Sequence, residues 1–302
     1  MFGSHLSISG GLEKALLSAI DLKLDCLQIF NANQRQWNAK DLTNENIQTW
    51  EIFKKKLPWY QDSFNRIVCH NSYLVNMASP NNETRNKSIN RQMLELNRCE
   101  QLGIQYLVTH PGAHLGSSKK GTHDLEKKPT KDELNGLLRI VESINEIHRS
   151  LKGLCVKICL ETTVGSGTNL GYAFHHLRFI KENVSEPERI VFCIDTCHIT
   201  AAGYDLSTEQ KANETLSLWN TVCGDENIGV FHFNDSVGKI GSRKDRHAHI
   251  GEGNCGIHCF KSIINTKKYN TIPKILETPK GTNSDGVEFD TINIKNLLRL
   301  KK

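Results

Sequence analysis

Histidine and acidic residues recur at the ends of short apolar segments in this sequence of 302 residues. A carboxylate or imidazole group in a buried strand is unfavourable by roughly several kcal/mol unless it is paired, protonated or bound to a metal ion. One such residue is ordinarily a hydrogen-bonded structural group, but here six consecutive segments end in this way. Their oxygen and nitrogen donors together predict a metal-binding site. The six residues are His70, His110, Glu161, Asp195, His232 and Glu277.

Three further residues extend the set of candidate metal ligands. His198 lies close after Asp195, and Asp245 and His247 belong to the motif DRH. The resulting nine donors exceed what one tetrahedral zinc ion uses, so we predict two or three divalent ions. Imidazole favours zinc, although manganese and iron accept the same donors, and the residue types alone do not decide between them.

Other histidines fit this cluster less well. His5, on the first apolar segment, is equally compatible with a place in the site and a place in the core. His114 and His249 are expected to support the ligands rather than to bind metal. Three histidines in or beside stretches of helical periodicity are expected to be solvated: His148, His175 and His176.

The apolar segments predict the elements that position these side chains. Eight short β-rich runs alternate, for the most part, with stretches of helical periodicity, which favours βα units and a parallel sheet. The β-rich runs cover residues 2–8, 26–30, 67–70, 106–110, 155–161, 190–195, 228–233 and 272–277. The helical stretches include residues 12–22, 91–102, 131–148 and 173–182.

Eight such units predict an α/β fold, a (β/α)8 TIM barrel, as one domain over residues 1–302. The competing topology is a doubly wound open sheet, although no GxGxxG motif follows the first strand to support a dinucleotide-binding version. In a barrel, the ends of the strands meet at the face where active sites lie. Two long loops, residues 112–129 and 236–256, follow strands at that face. Beyond about residue 280 the sequence carries no motif that we rely on.

Composition narrows the possible classes of protein. The net charge of +5 is compatible with an anionic partner but does not require one. Ten cysteines are too few in a chain of this length for a disulfide scaffold, so we expect reduced thiols in a cytosol-like compartment. The spacings of Cys193 and Cys197 and of Cys255 and Cys259 are also compatible with a thiolate metal site, but core packing is the expected role. The sequence predicts neither a membrane span nor a secretory signal.

Longer motifs in this sequence closely resemble those of the endonuclease IV family. The resemblance covers nearly the whole chain up to about residue 279, in the same order and at similar spacing. In the second half the motifs are HPGAH (110–114), LETTVGSGTNLG (160–171), CIDTCHITAAGYD (193–205), HFNDS (232–236), DRHAHIGEGNCG (245–256) and ILETP (275–279). In the first half they are GSHLSISGGL (3–12), NQRQW (33–37) and HNSYLVN (70–76).

The resemblance implies a DNA-repair nuclease that contains three zinc ions. It assigns His70, His110 and Glu161 to one ion, and His198, Asp245 and His247 to another. Glu161 would bridge to the remaining ion, which Asp195, His232 and Glu277 complete. The family hydrolyses the phosphodiester 5′ to an abasic site in duplex DNA, leaving a 3′-hydroxyl and a 5′-deoxyribose phosphate, and removes blocking groups from 3′ ends. Glu161 and Glu277 are the expected catalytic residues.

The resemblance also implies how DNA is recognised. Residues at the positions of Arg35, Tyr73 and Leu74 penetrate the duplex and fill the space that an extruded abasic nucleotide leaves. Basic loop residues are expected to contact phosphates: Lys119, Lys120, Arg243 and Lys244. We expect a monomer that acts on double-stranded DNA with abasic sites or blocked 3′ ends and does not bind a membrane. Cytoplasmic, nuclear and virion locations all remain open.

Two positions depart from the family pattern, and two other functions remain open. The family often has Asp where this chain has Asn71, and many members read DRHH where this chain has Ala248.

A sugar isomerase or epimerase is the strongest rival enzyme, because such barrels also bind metals at strand ends, but they typically use fewer ligands and lack the DRH loop. A barrel that binds damaged DNA without turnover is the other rival, and the complete set of nine ligands argues against it.

Overall fold

Eight strands of the computed structural model run parallel and close into a barrel. The structure describes residues 1–117, 125 and 128–302. The strands are β1 (Phe2–His5), β2 (Cys26–Phe30), β3 (Ile67–His70), β4 (Tyr106–Thr109), β5 (Lys157–Glu161), β6 (Ile190–Asp195), β7 (Ile228–His232), β8 (Asp235–Ser236), β9 (His247–Ala248) and β10 (Lys274–Leu276). Around the barrel the order is β1-β10-β7-β6-β5-β4-β3-β2, and β8 and β9 form a separate antiparallel pair. The closed order confirms the predicted single-domain (β/α)8 TIM barrel and excludes the open sheet.

The described residues contain ten α-helices, most of which connect consecutive barrel strands. They are α1 (Leu12–Asp21), α2 (Asn44–Lys54), α3 (Ser63–Arg66), α4 (Asn82–Leu102), α5 (Lys131–Ser150), α6 (Phe174–Asn183), α7 (Thr196–Ala202), α8 (Glu209–Cys223), α9 (Ile257–Ile264) and α10 (Phe289–Leu298). Short 3-10 helices cover Tyr60–Asp62, Pro187–Arg189, Asp225–Asn227 and Lys267–Tyr269. Within the described part of the chain, no helix combines the length and apolarity that crossing a membrane requires.

Side-chain caps fix where several helices begin. Thr130 starts α5 with a capping box, in which its hydroxyl oxygen accepts from a backbone N–H of the first turn. Asn81 caps α4, and Gly103 ends that helix in the left-handed conformation at φ 66°. Asp195 caps α7, because its Oδ1 accepts from the backbone N–H of His198 at 2.9 Å. One candidate metal ligand therefore also positions the helix that carries another.

Two apolar layers stabilise the barrel. The larger lies between the strands and the helices and includes Trp50, Trp219 and Phe260. Both faces of the strands are buried, which is why they read as continuous apolar runs in the sequence. A Cβ atom at Gly3 would lie 1.9 Å from the carbonyl oxygen of Cys26, so β1 approaches β2 this closely only with glycine there. The smaller cluster fills the lumen: Cys26, Val68, Val108, Cys159, Val191, Cys193, Val230 and Ile275.

Most predicted element boundaries agree with the structure to within a few residues. The runs at 26–30, 67–70 and 190–195 coincide with β2, β3 and β6 at both ends. The stretch 91–102 is only the second half of α4, which begins at Asn82. Its first half reads NETRNKS and carries little apolar periodicity, so the pattern cannot reveal it.

The chain beyond residue 280 folds onto the barrel despite its lack of motifs. Helix α10 packs against β1 and α9. The buried side chain of Asn293 accepts from the backbone N–H of Ile250 at 2.9 Å and donates to Thr278 Oγ1 at 3.0 Å. Lys280 forms an ion pair with the buried Asp290, 2.9 Å between Nζ and Oδ1. These contacts attach the C-terminal helix to the barrel.

The prediction that three histidines are solvated is wrong for two of them. His148 and His176 are buried, with 1% and 0% of their surface exposed, and His175 is half-buried. His148 follows the buried Ile144 by one helical turn, and His176 precedes the buried Ile180 by one turn. Both histidines therefore lie on the face of their helix that packs against the barrel.

Candidate metal centre

The nine candidate ligands converge at the carboxyl-terminal mouth of the barrel. Six of them lie at or just beyond the ends of β3, β4, β5, β6, β7 and β10, which parallel strands place at one face. The donors form three groups, two of which share Glu161, and within each group the ligand atoms lie within 4.8 Å of one another. The groups are His70, His110 and Glu161; Glu161, Asp195, His232 and Glu277; and His198, Asp245 and His247.

Glu161 joins the first two groups. Its Oε2 lies 3.3 Å from Nε2 of His70 and 3.0 Å from Nε2 of His110. Its Oε1 lies 2.8 Å from Nδ1 of His232. Because its two oxygens face different sets of donors, this carboxylate has the geometry of a bridging ligand.

The second group surrounds Nδ1 of His232. This nitrogen lies 3.3 Å from Oε2 of Glu277 and 3.8 Å from Oδ2 of Asp195. Asn234, just beyond β7, connects the two acidic residues. Its Nδ2 donates to Asp195 Oδ2 at 2.7 Å, and its Oδ1 accepts from the backbone N–H of Glu277 at 2.7 Å. A fully buried amide thus links the carboxylate of Asp195 to the backbone of Glu277.

The pairing of β8 with β9 positions the third group. It brings the end of the long loop, with Asp245 and His247, back over the mouth. Oδ1 of Asp245 lies 3.3 Å from Nε2 of His198 and 3.4 Å from Nε2 of His247. The side chain of Asp245 is 50% exposed whereas that of His198 is 3% exposed, so this group opens to solvent on one side.

Burial and opposite charge act together on these groups. Burial raises the pKa of Glu161, but the imidazoles of His232 and His110 outweigh it and hold the pKa of this carboxyl well below its ordinary value. Burial lowers the pKa of His232, but the carboxylates of Glu277 and Glu161 outweigh it and raise this pKa to about 10. In the metal-free protein the site therefore contains ionised carboxylates and protonated imidazole, and a divalent cation would displace the imidazole protons.

Backbone carbonyl groups orient three of the histidines. A carbonyl oxygen only accepts, so Nδ1 of each ring must donate, and Nε2 then faces the carboxylates. Nε2 of His198 and of His247 are buried and have no hydrogen-bond partner among the described residues. The donor and acceptor pairs are His70 with Asn71 at 2.8 Å, His198 with Thr162 at 2.8 Å and His247 with Glu277 at 3.1 Å.

This arrangement fits divalent metal ions. Two nitrogen or oxygen atoms bound to one tetrahedral zinc ion are about 3.4 Å apart, given ligand distances of about 2.1 Å. The distances from His70 to Glu161 and from His198 to Asp245 are both 3.3 Å, close to that spacing. Unpaired buried ring nitrogens beside ionised carboxylates are otherwise unfavourable. A cation between these atoms would coordinate the ring nitrogens and neutralise the carboxylates.

Two thiols border the candidate ligands. Cys193 lies near Glu161 and His232, and Cys197 lies near Asp195 and His247. Burial raises the pKa of Cys197 to about 12 and that of Cys193 well above its ordinary value, so both are neutral thiols near pH 7. Cys193 packs in the lumen cluster, as the sequence predicts. All ten cysteines lie among the described residues and are free.

The two departures from the family motifs leave the neighbouring ligands in place. His70 donates to the backbone carbonyl of Asn71, so the side chain of Asn71 does not orient it. That side chain is buried and donates to Thr109 Oγ1 at 3.0 Å. Ala248 is buried in β9, where it maintains the strand pairing that positions His247.

The three residues expected to contact DNA lie on loops at the rim of the same mouth. Arg35 is exposed, Tyr73 is 64% exposed and Leu74 is half-buried. The ring of Tyr73 lies 5.8 Å from that of His70 and packs edge-on against Phe30 at 5.4 Å. An exposed aromatic surface therefore adjoins the first ligand group.

The basic residues expected to contact phosphates divide into two pairs. Lys119 and Lys120 lie outside the described residues. Arg243 and Lys244 lie on the loop that carries Asp245, and Lys244 is exposed. The backbone N–H of Arg243 donates to the carbonyl of Ala201 at 2.9 Å, which attaches this loop to α7.

Sequence reasoning missed two residues of the site, Gln28 and Asn234. Both are amides with no exposed surface. Gln28 lies within β2, two residues after the lumen residue Cys26, as His70 follows Val68 in β3. Side chains alternate along a strand, so this spacing could have placed Gln28 at the mouth. Asn234 carries no comparable signal, because it lies in a loop.

Comparisons with known proteins agree with this fold. The family model described as xylose isomerase-like TIM barrel matches residues 16–294. A protein named probable endonuclease 4 from Chloroflexus aggregans is 38% identical over 299 residues, which cover 99% of this chain and 98% of that relative. The crystal structure of endonuclease IV from Thermus thermophilus has a TM-score of 0.79 and 27% identity, and covers 99% of this chain and 98% of that one.

A protein of another kind shares the fold at lower identity. The structure of a D-tagatose 3-epimerase-like protein has a TM-score of 0.67 and 19% identity, and covers 99% of this chain and 95% of that one. This likeness concerns the barrel alone. The full-length relatives are more specific, and the chain belongs to the endonuclease 4 family of metal-dependent AP endonucleases, hydrolases built on the xylose isomerase-like TIM barrel.

Proposed function

We propose that the mouth of the barrel binds three divalent metal ions, with zinc as the expected metal and manganese or iron as candidates at some positions. The ligands of the three ions are the three groups described above, with Glu161 shared between two of them. The observation that carries this proposal is the joint presence of a bridging carboxylate and a third, separate group on the DRH loop. The unpaired Nε2 atoms of His198 and His247 support it.

We infer that the reaction is hydrolysis of the phosphodiester 5′ to an abasic site in double-stranded DNA during DNA repair. The products are a 3′-hydroxyl and a 5′-deoxyribose phosphate, and the same site removes blocking groups from 3′ ends. Family membership and the named relatives support the reaction class. The open side of the third group supports access for a large substrate.

The chemistry of a phosphodiester explains why this set of residues is useful. Bound divalent ions neutralise the charge of the phosphate, make a bound water acidic near neutral pH and stabilise the leaving oxygen. Glu161 and Glu277 are the proposed catalytic residues, because both belong to one ligand group, where their carboxylates would hold a metal ion and orient a water molecule for attack. No side chain of the ligand groups has to donate a proton to the leaving oxygen in this scheme.

Recognition of the damaged site falls to the rim. An extruded abasic nucleotide leaves a gap in the duplex that a side chain must fill. The exposed ring of Tyr73 and the neighbouring Leu74 supply apolar surface next to the ligands, and Arg35 supplies positive charge. We propose that these three residues occupy the gap. The protein acts as a monomer in this proposal, since one chain carries both the ligands and the rim.

One experiment tests the proposal against its rivals. Purified protein is analysed for metal, and cleavage is measured on a duplex that contains a tetrahydrofuran abasic analogue. We expect about three ions per chain and cleavage 5′ to the analogue, lost on chelation and restored by zinc. Metal-loaded protein that binds this duplex without cleaving it would indicate the non-catalytic binder. Isomerisation of a sugar without DNA cleavage would indicate an epimerase-like enzyme.

A further inference from the structure

The amide group of Gln28 lies between two candidate ligands at the floor of the site. The side chain is fully buried at the middle of β2. Its Nε2 lies 2.7 Å from Oε1 of Glu277, and its Oε1 lies 2.8 Å from Nε2 of His232. The same Nε2 lies 2.9 Å from Nδ1 of His5. All polar atoms of the amide therefore have partners within the site.

The partners determine which way this amide points. Oε1 of Glu277 lies 2.7 Å from Nε2 of Gln28, and a carboxylate that serves as a metal ligand only accepts hydrogen bonds. The NH2 group of Gln28 must then face Glu277, and the carbonyl oxygen must face His232. An oxygen that only accepts requires a proton on Nε2 of His232. This leaves Nδ1 as the nitrogen that faces Glu161.

His232 differs in this respect from three other candidate ligands. His70, His198 and His247 present Nε2 to the carboxylates and donate through Nδ1 to backbone carbonyls. No side-chain substitution at the acceptor removes those hydrogen bonds. His232 presents Nδ1 instead and donates to a side chain, Gln28. Among these four histidines, His232 is therefore the one whose orienting hydrogen bond a single side-chain substitution can remove.

We propose that Gln28 is a positioning residue, which fixes the ring nitrogen that His232 offers to metal and holds Glu277 beside it. The inference rests on the proposed metal centre and names the residue that organises its second group. Histidine ligands of metals ordinarily donate their other ring N–H to a fixed acceptor, and loss of that acceptor weakens metal binding by roughly 10–100-fold. Gln28 connects two ligands of one group, so its loss should weaken one ion more than the others.

The first test compares metal affinity in Gln28→Met and in the wild-type protein, by competition with a chelator. Methionine has similar volume and no amide, so we expect one of three ions to bind roughly 10–100-fold more weakly. Gln105→Met is the matched control, because Gln105 is half-buried just before β4, at the opposite end of the barrel. Equal affinities in Gln28→Met and wild type would overturn the role of Gln28. A wild-type protein that binds no metal would overturn the metal centre itself.

The second test separates positioning from a general loss of structure. In the zinc-loaded wild type, long-range 1H–15N spectra should show the His232 proton on Nε2 and a metal-bound Nδ1. We expect that signature to change in Gln28→Met while the signals of His70, His198 and His247 persist. Unchanged His232 signals would contradict the proposal, as would a wild-type proton on Nδ1. If Gln28→Met does not fold, Gln28→Asn keeps a polar group too short to reach both partners and is expected to show the same change.

Discussion

Two layers of side chains fill the barrel lumen, one directly above the other, and they differ in polarity. The lower layer is apolar and the upper layer, at the mouth, contains most of the candidate ligands. On six strands, a residue of the lower layer is followed two positions later by a residue of the upper layer. Side chains alternate along a strand, so both point into the lumen. The pairs are Val68 and His70, Val108 and His110, Cys159 and Glu161, Cys193 and Asp195, Val230 and His232, and Ile275 and Glu277.

The difference between these layers shows how the fold separates stability from chemistry. Small side chains, aliphatic groups and neutral thiols, fill the lower lumen without charged groups that would need partners. The upper layer concentrates ionisable groups whose burial is tolerable only with hydrogen bonds, opposite charges or metal ions. A substitution in the upper layer should therefore affect metal binding and turnover, and one in the lower layer should affect stability.

The largest expected effect comes from the bridging carboxylate. Glu161→Gln removes the charge that faces two ligand groups and should lower cleavage of an abasic duplex on the order of 10³-fold. DNA affinity should remain close to that of the wild type, because the rim is unchanged. Gel-shift and single-turnover assays measure the two properties.

Cys159→Ala is the matched control for that variant, since Cys159 lies on the same strand one layer below. We expect near wild-type turnover with a small loss of stability. Comparable loss of cleavage in both variants would remove the distinction between the layers, and wild-type turnover in Glu161→Gln would refute the role of that carboxylate.

Metal affinity should depend on pH in a defined direction. The pKa of His232 is about 10 in the metal-free protein, because Glu277 and Glu161 outweigh the opposing effect of burial. Metal must displace this proton, so affinity should rise about tenfold per pH unit for each proton displaced, between about pH 6 and 8. Competition titrations at several pH values measure it. An affinity that is constant over this range would contradict the assigned protonation.

A smaller effect is expected at the rim. Tyr73→Ala should weaken binding to an abasic duplex by about 1–3 kcal/mol, the contribution of one aromatic stacking contact, and should leave metal content unchanged. Phe64→Ala is the control, because Phe64 is an exposed aromatic residue in α3, ahead of β3 rather than beyond its end. Equal affinity of the Tyr73→Ala and wild-type proteins would exclude Tyr73 from the gap.

The smallest expected effect comes from the lower layer. Ile275→Val removes one buried methylene group two residues before Glu277 and should lower the free energy of unfolding by about 0.5–1.5 kcal/mol. Turnover and metal content should not change. Denaturant titration and the cleavage assay together measure this, and a severalfold loss of turnover would show that the layers are coupled.

The sequence predicted those parts of the molecule that follow strand periodicity. The barrel and the convergence of His70, Glu161 and Glu277 follow from apolar runs that end in polar residues. The positions of Gln28 and Asn234 in the site did not follow, because an uncharged amide in or beside a strand is ordinarily structural. The first half of α4 escaped detection for a related reason, since its polar sequence lacks a period even though Asn81 caps it.

The central claim is that nine side chains form one centre for three metal ions. Anomalous diffraction at the zinc edge, from crystals of protein loaded with zinc, tests it most directly. We expect three peaks, each about 2.0–2.2 Å from the nitrogen and oxygen atoms of one ligand group, with Glu161 next to two of them. Peaks located away from these side chains, or a mouth without any peak, would contradict it.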